Sequence, residues 1–144
     1  MKNARVVMPY FIMLFLLCLS GCGDGGVQLV EVNGRVLLRN QPFQNVRGGA
    51  VTFIDKRGNP VYGDILPDGS FRMKSGMEWG VPPGEYKVIV AVYSNENESE
   101  KKHTLGGAAP PELISPVKYT DVKTSGLTQS VPAEGLKDII INLE

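Results

Sequence analysis

The sequence predicts an all-β domain, and three observations carry that expectation. Gly (17) and Pro (10) together supply about 19% of the chain against a usual total of roughly 12%, a density of breakers that a helical bundle does not tolerate. Hydrophobic residues nevertheless reach 42%, so the chain has a core to bury and is not a disordered tract. Those residues fall in short alternating runs separated by Asn, Asp, Gly and Pro, which is the pattern of half-buried strands joined by turns. A chain of 144 residues suits one small domain.

The first element is an address. Lys2 and Arg5 precede an apolar run over residues 6–19, and the small residues Ser20 and Gly21 follow. This is the layout of a secretory signal peptide. The run falls short of the roughly 20 residues that a helix needs to cross the hydrocarbon core, and Pro9 interrupts it. Leu19-Ser20-Gly21-Cys22 resembles the lipobox of bacterial lipoproteins. That resemblance implies a diacylglyceryl thioether on Cys22, cleavage before it, and an acylated Cys22 as the mature N-terminus. Small side chains at Ser20 and Gly21 admit a peptidase, and a thiol is the nucleophile that thioether formation requires. The organisation expected is a signal peptide over 1–21, a flexible tether over 22–27 and a domain over 28–144. Cys18 leaves with the leader, so the mature chain has one thiol and no internal disulfide.

Along the domain, strands are expected at 30–38, 50–54, 61–66, 70–74, 86–93, 127–131 and 136–143. Gly34 marks a bulge or a close approach in the first, and Gly48-Gly49 a bulge at the edge of the second. Pro42 fixes a turn after Asn40. Lys56-Arg57-Gly58-Asn59-Pro60 turns the chain again, and Asp68-Gly69 is a hairpin signal. Tyr86, Val88, Val90 and Val92 share one face of the strongest strand, with Lys87, Ile89, Ala91 and Tyr93 on the other. That composition predicts a central strand covered on both sides. Residues 94–116 form a polar excursion that returns to the fold near Ile114 and Tyr119. Seven short strands argue for two antiparallel sheets packed face to face.

Several segments together resemble the carboxypeptidase regulatory-like domains, which are seven-stranded transthyretin-like (prealbumin-like) antiparallel sandwiches. They are Val32-Asn33-Gly34-Arg35-Val36, Gln41-Pro42-Phe43, Ala50-Val51-Thr52-Phe53, Pro67-Asp68-Gly69-Ser70-Phe71 and Pro83-Gly84-Glu85-Tyr86-Lys87-Val88. With the lipobox, Ile114-Ser115-Pro116-Val117-Lys118-Tyr119 and Thr124-Ser125-Gly126-Leu127, the chain is similar to small lipoproteins of planctomycete-type bacteria. The resemblance implies a fold and carries no activity.

Catalytic chemistry finds little support. His103 is the single histidine and stands beside Lys101 and Lys102, which reads as an exposed loop. Asp64 and Asp68 lack the dense oxygen spacing of a calcium loop, and the glycines form no phosphate-binding loop. The transthyretin-like fold includes a ureide hydrolase with several histidines and a C-terminal Tyr-Arg-Gly-Ser. Here the chain has one His and its last residues are Ile141-Asn142-Leu143-Glu144. Asn142 on the last strand fits one half of an internal Lys–Asn isopeptide bond, but the first strand offers Arg35 and Arg39 and no Lys. Trp79 is expected in a loop, folded over one end of the sandwich.

The function expected is therefore a non-catalytic, lipid-anchored protein of the cell envelope, outside the cytoplasm, with a structural or interaction module. It takes no cofactor and no metal, and with no basic surplus it does not bind nucleic acid. Its partners are the membrane, through the lipid, and an envelope protein or polysaccharide. The alternative is a carbohydrate-binding module that uses the loop aromatics Trp79 and Tyr62.

Overall fold

Strict alternation of apolar and polar side chains turns one face of each strand inward, and the architecture follows from where those faces meet. The structure, a computed structural model, describes residues 26–94 and 111–144. The strands are β1 (Val32–Leu38), β2 (Gln41–Pro42), β3 (Val46–Ile54), β4 (Pro60–Ile65), β5 (Ser70–Ser75), β6 (Glu78–Trp79), β7 (Gly84–Ser94), β8 (Leu127–Val131) and β9 (Leu136–Leu143). The one other regular element among the described residues is a 3₁₀ turn at Val117–Thr120. The described residues form an all-β domain.

The long strands join in the order β8-β7-β3-β4-β5-β1-β9, with β2 on β1 and β6 on β5. Every pairing is antiparallel except β1–β9, which is parallel. Val131 of β8 and Ile141 and Leu143 of β9, from the two ends of this path, belong to one hydrophobic cluster. The sheet therefore curls, and its inner face closes on itself. Three cross-strand rows build the centre: Val61–Phe53–Val88, Gly63–Val51–Val90 and Ile65–Gly49–Val92. Phe53, Met73, Val51, Val88 and Val90 are among its fully buried side chains, each stabilising by about 1.5–3 kcal/mol relative to exposure. The Phe53 and Tyr86 rings meet at 5.7 Å, tilted by 36°. The Tyr86 hydroxyl donates to the Pro82 carbonyl at 2.7 Å, and burial raises its pKa above the ordinary 10.0.

All seven expected strands are present, with differences that have physical causes. The second begins at Val46, not Ala50, because Val46 finds core to bury before the glycines. Its bulge lies between Val46 and Gly48 on the β7 side, in the stretch of β3 that has one partner strand only, since β4 joins it from Gly49 onward. Gly34 is both bulge and close approach: the β1–β9 register shifts between Val32 and Gly34, and a Cβ on Gly34 would collide with the Ile139 carbonyl. The first turn lies at Arg39 and Asn40, with φ of 49° and 62°, the signature of a two-residue hairpin. Pro42 falls one position into β2, where no ladder donor is needed. β7 is central in pairing but covered on one face only: Lys87 and Tyr93 are exposed and Ile89 and Ala91 half-buried.

Side chains pin the turns. Asp55 accepts from the Asn59 amide and from the backbone N–H groups of Arg57 and Asn59. Asp68 accepts from the Ser70 hydroxyl and N–H. These bonds to the charged form, led in each case by the side-chain donor, hold both carboxyls below the ordinary 3.8.

Residues 95–110 of the polar excursion lie outside the described residues, but its return is visible and falls where the sequence places it. β8 pairs only with the first half of β7. The second half is covered by Leu113–Ser115: Ile114 donates to the Val92 carbonyl at 2.8 Å, and the Ser115 hydroxyl accepts from the Val92 N–H at 3.1 Å. Tyr119 then buries its ring in the core, and its hydroxyl accepts from the Glu144 N–H at 2.9 Å.

Candidate functional site

The outer face of β4, β5 and β6 gathers residues that are far apart in sequence. Tyr62 of β4 stands opposite Lys74 of β5, and Lys74 stands opposite Trp79 of β6. Facing pairs in a ladder project to one side, so the two aromatics flank Lys74 on the same surface, about 9–10 Å apart by strand spacing. Asp64 and Arg72 form the neighbouring row, with Asn33 of β1 beyond Arg72.

Ion pairs tie this surface together. Lys74 Nζ lies 2.8 Å from Asp64 Oδ2, Arg72 Nη2 lies 3.3 Å from Glu31 Oε1, and Lys137 Nζ lies 3.4 Å from Glu31 Oε2. Each is exposed and contributes about 0–1 kcal/mol; together they order the long side chains more than they stabilise the fold. The Arg72 guanidinium also lies 4.8 Å from the centre of the Trp79 ring, a cation–π contact worth about 0.5–1 kcal/mol at an exposed site.

Trp79 departs from the sequence expectation. It sits in a two-residue strand instead of a loop, and it is 59% exposed instead of folded over the end of the fold. Pairing with β5 fixes its backbone on the outer face, away from the core. Tyr62 is likewise a strand residue and is exposed. Comparison with known protein families, curated proteins and solved structures returns no match. The surface is thus characterised by its own chemistry: one open indole face, a phenol, and paired charges that offer both donors and acceptors.

The remaining sequence candidates are placed as follows. Cys22, the leader and His103 lie outside the described residues. Asp64 is engaged by Lys74, and Asp68 by Ser70 and, at 3.9 Å, by Arg35. Asn142 stands opposite Leu37 and accepts from the Asn40 N–H at 2.7 Å, which gives its amide a structural task at the first turn. No cluster of three His, Cys, Asp or Glu occurs among the described residues. The surface residue that sequence reasoning missed is Met77, fully exposed at the tip of the β5–β6 hairpin. Position alone separates it from Met73, which is fully buried four residues earlier.

Proposed function

We propose that this chain is a lipid-anchored, non-catalytic protein of the cell envelope, held outside the cytoplasm by an acylated Cys22. It presents a transthyretin-like sandwich of the carboxypeptidase regulatory-like type as a structural or interaction module. The observation that carries the reading is Leu19-Ser20-Gly21-Cys22 directly after the apolar run at 6–19. The sandwich is supported by seven strands of more than two residues and by one core drawn from both ends of the strand path. Mechanism here is display: two or three acyl chains hold the protein stably where one would not, and the short stretch Gly23-Asp24-Gly25-Gly26 joins that anchor to the domain. Cys22→Ser is expected to move the protein from the membrane fraction to the soluble fraction, or to leave the precursor uncleaved. A wild type that is already soluble and unmodified would end the reading.

A second reading is favoured by one observation, the shared exposed face of Tyr62 and Trp79. Two aromatics about 10 Å apart with donors between them suit successive sugar rings of a polysaccharide. A glycan array separates the readings: binding that disappears in both Tyr62→Ala and Trp79→Ala supports a carbohydrate module, and no binding by wild type removes it.

A further inference from the structure

We infer that the end of the domain at which the chain enters is seated on the phospholipid surface, with Met77 and Trp79 at the headgroup boundary. This rests on the lipid-anchor reading and adds to it an orientation and a lipid-contacting site.

The path of the chain carries the argument. Val30 exchanges two backbone hydrogen bonds with Val81, each 2.9 Å, so the entering segment is strapped beside the residues that follow Trp79. Gly80 makes this fit possible, since a Cβ there would come within 2.9 Å of the Val30 carbonyl oxygen. Farther out, Gly26 and Val27 line one groove with Pro83, Glu85 and the Asp55–Asn59 turn as well as with Glu78. Gly26 is four residues from Cys22, a span of at most about 14 Å. An acylated Cys22 therefore brings the β5–β6 hairpin close to the headgroups, whose layer is itself about 5–7 Å deep on each side.

The residues at this end suit that position. Met77 at the hairpin tip is 101% exposed, and Trp79 and Val27 are also exposed. Trp favours the membrane–water boundary because its ring is apolar with one polar N–H, and Met adapts its shape to an irregular apolar medium. The Asp55–Asn59 turn lies at the same end, since Pro60 opens β4 just beyond the Tyr62–Lys74 pair. It presents the exposed Lys56 and Arg57 to lipid phosphates. Glu78 and Glu85 line the same groove as this turn, so apolar contact, not net charge, carries the docking. Leu66 is exposed too, but it follows β4 at the opposite end, away from the tether. A contact too weak to hold a free protein on a bilayer suffices here, because the anchor makes the encounter intramolecular.

Trp79 is the only tryptophan of the chain, so its fluorescence reports this site alone. The processed, acylated protein is placed in phosphatidylcholine–phosphatidylglycerol vesicles whose acyl chains are brominated near the headgroup. Trp79 emission is expected to fall about twofold relative to ordinary lipid and to resist quenching by aqueous iodide, as for an interfacial indole. Met77→Asp should restore most of the emission, and Leu66→Asp should leave the quenching unchanged. If the protein floats with the vesicles and carries acyl mass on Cys22, yet Trp79 ignores the bromines and stays open to iodide, the docking is overturned and the anchor stands. If it neither floats nor carries acyl mass, the anchor reading fails and takes the docking with it. Emission that ignores bromolipid but shifts with soluble envelope polysaccharide overturns the docking in favour of sugar binding.

Discussion

The two faces of β4 make a controlled comparison within six residues. Val61, Gly63 and Ile65 are buried, while Pro60, Tyr62 and Asp64 between them are exposed. The inner residues meet Phe53, Val51 and Gly49 across one ladder and belong to a packed core. The outer ones meet a lysine partner, an aromatic neighbour and water. Both faces share the same backbone, so the difference is purely one of environment. The inner face determines whether the chain folds; the outer face is free to determine what it touches.

The sharpest way to break that division is to put a charge on the inner face. Val90→Asp strands a carboxylate in the core, where it either stays ionised without a partner or is neutralised at large cost. It is expected to abolish the cooperative thermal transition seen by circular dichroism, whereas Lys87→Asp on the outer face of the same strand should leave it almost in place. Equal behaviour of the two would mean that β7 does not have the faces assigned to it.

Tyr119→Ala comes next. It empties a buried ring site and removes the acceptor of the Glu144 N–H, and should cost about 3 kcal/mol in urea denaturation. Gly34→Ala should cost about 1–3 kcal/mol, since the new methyl group meets the Ile139 backbone and forces β9 away from β1. A neutral result would argue against the parallel β1–β9 pairing.

The smallest expected effect is electrostatic. Asp55 and Asp68 have folded-state pKa values below 3.8, so their contribution is fully present above that value and is lost as pH falls through the lower folded values. Denaturation between pH 6 and pH 2.5 should show this loss in wild type and a shallower loss in Asp68→Asn. Lys74→Gln, which removes one exposed ion pair, should change stability by less than about 0.5 kcal/mol.

The inner face was legible in the sequence because burial writes itself locally, one residue in two. Val61, Gly63 and Ile65 announce a strand without reference to any partner, as do Tyr86, Val88, Val90 and Val92. The turn at Asp68-Gly69 was legible for the same reason: its chemistry is contained in three neighbouring residues. What was not legible depends on partners. The parallel pairing of β9 with β1 joins residues about a hundred positions apart, and alternation states only which face is buried, not who sits alongside. Gly48-Gly49 signals the β3 bulge but not that β7 pairs from Val46 while β4 joins only from Gly49. The Tyr62–Lys74–Trp79 row exists only through the registers of two hairpins. Met73 and Met77 carry the same side chain, and only the end of β5 tells one from the other.

The central claim is that this outward-facing surface is held at a membrane by Cys22, and intact-mass and peptide mass spectrometry of the mature protein test it most directly. The account predicts an N-terminal peptide that begins at Cys22 and carries the mass of a diacylglyceryl group, with a further acyl chain on the amine where the cell adds one. A mature protein whose N-terminus lies elsewhere, or whose Cys22 is an unmodified thiol, would contradict it.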